Sequence, residues 1–123
     1  TGSSMGDYGT WEMGITYPSF FSAIAPVCGG GMQWRSEKLL NTPVKAYHGN
    51  KDDVVELINS ELMLKNIIVK GGTPELVVLD GFGHNDGIYE AYKNRGLMDL
   101  MDWILKQRRT DFSPVKEACS EWF

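Results

Sequence analysis

Thr1-Gly2-Ser3-Ser4-Met5-Gly6-Asp7-Tyr8-Gly9-Thr10-Trp11 opens the chain, and within it Gly2, Ser4 and Gly6 form the pattern Gly-x-Ser-x-Gly. In that pattern a serine stands on a tight strand-to-helix turn with its hydroxyl projecting, and the glycines spare the neighbouring backbone a collision. A helix must follow at once. Met5, Tyr8, Trp11 and Ile15 supply apolar positions three and four apart, and Pro18 marks the end of the run. Ser4 is therefore a candidate nucleophile at the head of an amphipathic helix, with Tyr8 and Trp11 read as core packing.

Working outward, three short runs read as strands. Ser22 to Val27 ends in Cys28 and Gly29-Gly30-Gly31, Val44 to His48 ends at Gly49-Asn50, and Leu76 to Leu79 ends at Asp80-Gly81. None alternates with polar residues, which suits strands of a parallel sheet buried on both faces. Helical spacing fills the intervals. Ile58, Leu62 and Ile68 lie within Glu56 to Lys70, which Gly71 can cap, and Leu97, Met101, Ile104 and Leu105 follow, with Asp99 and Asp102 early and Lys106, Arg108 and Arg109 late. Alternating strand and helix give an α/β class, carried by residues 1–109, with 110–123 a tail without period.

The 123 residues carry 12 basic and 16 acidic side chains, a net charge of −4. Nucleic acid and anionic membrane surfaces are poor partners for such a chain. No run approaches the roughly 18 apolar residues of a membrane span. Cys28 and Cys119 are too few for a disulfide framework or a zinc site and read as unpaired thiols. There is no phosphate-binding glycine loop with a lysine and no metal-ligand spacing, so the chemistry asks for no cofactor.

A serine nucleophile needs a general base, and the chain offers His48 and His84. His84 stands in Gly81-Phe82-Gly83-His84-Asn85, a glycine-rich loop after the third strand, where an imidazole can project from the carboxyl end of the sheet. His48 ends the second strand and reads as a hydrogen-bonded structural histidine. The base in turn needs a carboxylate to fix its tautomer, and Asp52 and Asp53 both follow the second strand at that same end. Trp34, in the loop after the first strand, could line an acyl or sugar pocket there, whereas Trp103 reads as core.

Ser4-Met5-Gly6, Tyr8-Gly9-Thr10-Trp11, Tyr17-Pro18, Phe21 and Ala23 to Gly31 are followed in register by Pro43-Val44, His48-Gly49-x-x-Asp52-x-x-Val55 and Gly81-x-Gly83-His84. In these residues the chain resembles the dienelactone-hydrolase-like and prolyl-oligopeptidase-like esterases of the α/β-hydrolase superfamily, in which the order is Ser, Asp, His. The resemblance implies Ser4 as nucleophile, Asp52 as the acid, four residues after the histidine of His-Gly, and His84 as base. It implies the Met5 amide as one oxyanion donor, and cleavage of small-molecule or carbohydrate esters through an acyl-enzyme. A peptidase of the same superfamily and a non-catalytic binding module are the alternatives. Two positions depart from the pattern. Asp7 replaces a usual glycine, placing a carboxylate near the helix N-terminus and a developing oxyanion, and Glu56 replaces a common proline.

The second oxyanion donor in this class comes from a loop after an earlier strand, and only three residues precede Ser4. The expectation is therefore the C-terminal half of an α/β-hydrolase fold, three parallel strands flanked by helices, partnered by the missing N-terminal half or by a second copy. On that expectation Ser22 to Val27 is an unpaired edge.

Overall fold

The computed structural model describes residues 1–93 and 99–110. Four parallel strands, β1 (Gly2–Ser3), β2 (Pro26–Val27), β3 (Lys45–Gly49) and β4 (Glu75–Leu79), lie side by side in chain order. Helices α1 (Met5–Thr16), α2 (Ile58–Val69), α3 (His84–Tyr92) and α4 (Leu100–Lys106) flank them, with a 3-10 helix at Gln33–Leu39. The α/β class is as expected, with one strand more.

Pro26 explains why the run from Ser22 is regular only at its end. The Ile24 N–H donates to the Pro43 carbonyl at 3.0 Å and the Cys28 N–H to the Tyr47 carbonyl at 2.8 Å, but the proline between them has no N–H for the ladder. Nor is β2 an open edge, since Gly2 pairs with Pro26 and Ser3 with Val27. Register then carries one row across the sheet through Ser3, Val27, Tyr47 and Val77. The segments that follow β1, β3 and β4 consequently leave from one end of the sheet.

Apolar layers cover both faces. Trp11, Ile15, Ala46, Met63 and Ile67 pack on one, and Val27, Tyr47, Leu79, Ala91 and Leu100 on the other. Ala46 and Tyr47 point to opposite layers, as the pleat requires. β4 is different. It lies at the end of the strand order and leaves Val78 42% exposed, although its aliphatic run looked as buried as the others.

Two helix faces also correct the expectation. On α1, Trp11 and Ile15 are buried but Met5 and Tyr8 are exposed, and the inward face is completed by Asp7, Thr10 and Gly14. On α2, Ser60, Met63, Leu64 and Ile67 face inward while Ile58 and Ile68 face out. Both helices carry apolar residues on two sides, so spacing alone placed α1 half correctly and chose the wrong side of α2. In α4 Leu100 is the buried anchor, Met101 and Leu105 are exposed, and Trp103 packs half-buried against the Tyr47 layer. Leu97, Cys119 and the tail from position 111 lie outside the described residues.

Candidate active site

Ser4 sits between β1 and α1 with a φ of 55°, a left-handed value that a β-carbon disfavours. Backbone bonds hold it there. Its N–H donates to the Val27 carbonyl at 3.0 Å, and its own carbonyl accepts from the amides of Asp7 at 2.9 Å and Tyr8 at 3.3 Å. A β-carbon on Gly2 would lie 2.3 Å from the Gly6 carbonyl oxygen, so β1 can pass α1 only as glycine. Gly6 itself faces open space. Steric need therefore explains one of the two glycines of the pattern, where it was expected for both.

From that turn the Ser4 hydroxyl reaches His84 Nε2 at 2.9 Å, and His84 Nδ1 reaches Asp52 Oδ2 at 2.7 Å. Partner chemistry fixes the protons. A carboxylate only accepts, so Nδ1 carries hydrogen and Nε2 is left to accept the serine proton. The other oxygen, Asp52 Oδ1, accepts from the amides of Val54 at 3.0 Å and Val55 at 2.9 Å. Burial pushes the Asp52 carboxyl up, but the hydrogen bonds from His84, Val55 and Val54 outweigh it and hold the group below its ordinary value. Asp53 is exposed and takes no part.

Three further placements bear on the chemistry. Met5 is the first residue of α1, where an amide has no acceptor within the helix. Trp34 lies in the 3-10 helix after β2 and is 67% exposed. Cys28 is buried beside the site, and burial raises its thiol to about 11, which leaves it protonated and inert. Among the described residues no group of three His, Cys, Asp or Glu is placed to hold a metal ion.

Asp7 does not face the opening. It is fully buried against Gly29, where a β-carbon would come within 2.5 Å of its side chain. Neither of its oxygens has a hydrogen-bond partner, and the Trp11 indole N–H one turn on has none either. Burial pushes the carboxyl up to about 8; the Gly29 amide and the Trp11 indole lie near enough to draw it down only a little. At neutral pH it is an uncharged acid turned inward, so the carboxylate anticipated beside an oxyanion is absent.

Sequence reading missed what ties the acid loop to the base loop. Asn50 Nδ2 donates to Asp80 Oδ1 at 2.7 Å, the Gly81 amide donates to Asn50 Oδ1 at 2.8 Å, and the Lys51 amide donates to the Phe82 carbonyl at 2.9 Å. Gly49 permits this approach, since a β-carbon there would lie 2.3 Å from the Phe82 carbonyl oxygen. Turn residues were visible at both places, but nothing local paired them.

No protein-family model and no curated protein matches the chain. Solved structures do. A thermostable esterase superposes with a TM-score of 0.77 at 28% identity, covering 87% of this chain and 30% of its own. Esterase PE8 gives 0.61 at 29% identity, covering 83% and 47%. The chain belongs to the α/β-hydrolase superfamily. A Klebsiella pneumoniae protein assigned as a dienelactone hydrolase shares the same fold over 98% of this chain and 46% of its own, with a TM-score of 0.59 at 18% identity. This α/β-hydrolase chain thus spans less than half the length of each of these structures.

Proposed function

We propose that the chain carries the nucleophile, base and acid of a serine hydrolase acting on carboxylic esters. The relay from Ser4 through His84 to Asp52, at 2.9 and 2.7 Å, is the observation that carries this reading. His84 Nε2 takes the Ser4 proton as Oγ bonds to the ester carbonyl carbon, and the Met5 amide faces the oxyanion that forms. As that intermediate collapses, the bond to the alkoxy oxygen breaks and His84 returns the proton to the leaving alcohol. Water then attacks the acyl-serine, gives a proton to His84, and the carboxylic acid leaves as Ser4 is reprotonated.

Ester rather than peptide cleavage is supported by two structures above 25% identity that are esterases. Small-molecule and carbohydrate esters are the proposed substrates, with Trp34 offering an exposed aromatic face to the acyl or sugar part. Because the chain spans less than half of those esterases, the second oxyanion donor is proposed to come from the rest of a hydrolase domain or a second copy, packed along β1. A fluorophosphonate probe tests the core of the reading. It should label Ser4, and Ser4→Ala should abolish labelling; labelling that survives the substitution rejects Ser4 as nucleophile.

A further inference from the structure

His48 is wholly buried and lies 3.5 Å from Asp52 through its Nε2. Its main partner is different: the same Nε2 lies 2.6 Å from the Val55 carbonyl oxygen. A carbonyl only accepts, so Nε2 carries the hydrogen and donates it there. Val55 is also the residue whose amide donates to Asp52 Oδ1. His48 thereby pins the turn that holds one oxygen of the acid and leaves the other for His84.

On its far side His48 Nδ1 meets Ser60 Oγ of α2 at 2.7 Å, and Ser60 Oγ lies 3.2 Å from the Gly29 carbonyl oxygen. The hydroxyl has one proton for two acceptors, and with a neutral imidazole the shorter contact takes it. The imidazole and the Ser60 hydroxyl are buried, where an unpaired polar group is costly, so the ring has one satisfied orientation. Three parts of the chain are joined by it: the end of β3, the loop that holds Val55, and α2.

We propose that His48, oriented by Ser60, is a positioning residue for the triad, holding the Asp52 turn so that Oδ2 stays in line with His84 Nδ1. The proposal rests on the triad reading but is separable from it, because the Asp52–His84 contact can be observed without turnover. A strongly hydrogen-bonded imidazole proton gives a downfield resonance, and histidine-labelled protein lets the His84 Nδ1 proton be followed.

The experiment compares His48→Phe, His48→Gln and Ser60→Ala by that resonance, by the rate of fluorophosphonate labelling, and by thermal melting as a check on folding. Since a misplacement of about 1 Å can cost about 10²-fold in rate, His48→Phe is expected to slow labelling by about that factor and to lose or shift the resonance. Glutamine keeps an N–H near the Nε2 position and is expected to recover both. Where the phenylalanine variant does not fold, Ser60→Ala replaces it, with labelling about 10-fold slower and the resonance moved. A folded His48→Phe, or in its place Ser60→Ala, with wild-type resonance and labelling rate overturns the proposal. Failure of the triad reading looks different: labelling then survives Ser4→Ala, while the resonance still reports whether His48 holds the acid.

Discussion

A carboxyl group without solvent, cation or hydrogen bond is held most cheaply as the neutral acid, and Asp7 is in that position. In the folded protein its pKa lies near 8, against 3.8 for an ordinary aspartate. Between those values the unfolded chain releases the proton and the folded chain keeps it, so the unfolded state binds fewer protons and stability falls as pH rises. Asp7→Asn removes this dependence. Its stability advantage over the wild type, measured by urea unfolding, should widen from pH 4 toward pH 8 by up to about 1.4 kcal/mol per pH unit and then level off. A gap independent of pH would mean that Asp7 is not held neutral. Asp52 is the opposite case, a buried carboxylate kept ionised by three donors. Asp52→Asn should reduce turnover by orders of magnitude, about 10⁴ where the same change has been made in a protease triad, while exposed Asp53→Asn should leave turnover within a few-fold. Equal losses would remove Asp52 as the acid. The sequence distinguished these two neighbours only through their distance from His48; burial and the Val54 and Val55 amides distinguish them physically.

Elements were legible where one local rule dominated, and obscure where partners were remote. Turn residues marked the ends of β2, β3 and β4, and the helix after Ser4 was required by the serine pattern itself. The inward face of α2 was misread because Ile58 and Ile68 advertise a stripe, whereas the buried stripe includes Ser60, a residue whose burial makes sense only with His48 beside it. The start of α3 at His84 was read as loop because Gly81 and Gly83 precede it, yet Gly83 serves as its N-cap position. Even the glycines of the serine pattern divide by role. Gly2→Ala drives a β-carbon into the Gly6 carbonyl and should lower the melting temperature and the labelling of Ser4 together. Gly6→Ala meets nothing within 4 Å. Helix propensity should then raise stability by up to about 1 kcal/mol. Calorimetry on the pair decides: a Gly6→Ala protein as damaged as Gly2→Ala would show that open space is not what that position keeps.

Across the whole molecule, parallel strands in chain order separate chemistry from anchoring. Every strand delivers its following segment to the carboxyl end, so Ser4, Asp52 and His84 meet there from positions far apart in sequence. The opposite end holds the connections together by other means. Arg109, beyond the end of α4, donates through Nη1 to the carbonyls of Pro18 and Phe21 and through Nη2 to the carbonyl of Asn41. Its neighbours in the basic cluster suggested a helix-dipole role, but the helix ends at Lys106 and the guanidinium instead spans two loops. A planar fork is suited to several carbonyls at once; an ammonium is a single point charge on a flexible stem. Arg109→Ala should therefore cost about 1.5–3 kcal/mol of stability, the range for hydrogen bonds to a charged group, and Arg109→Lys should recover only part of it. Ester turnover by the folded Arg109→Ala protein, measured well below its melting temperature, should match the wild type, because no catalytic segment leaves from this end. Unchanged melting would show that these bonds merely replace bonds to water. Turnover lost with the fold intact would show that the two ends are coupled through the sheet.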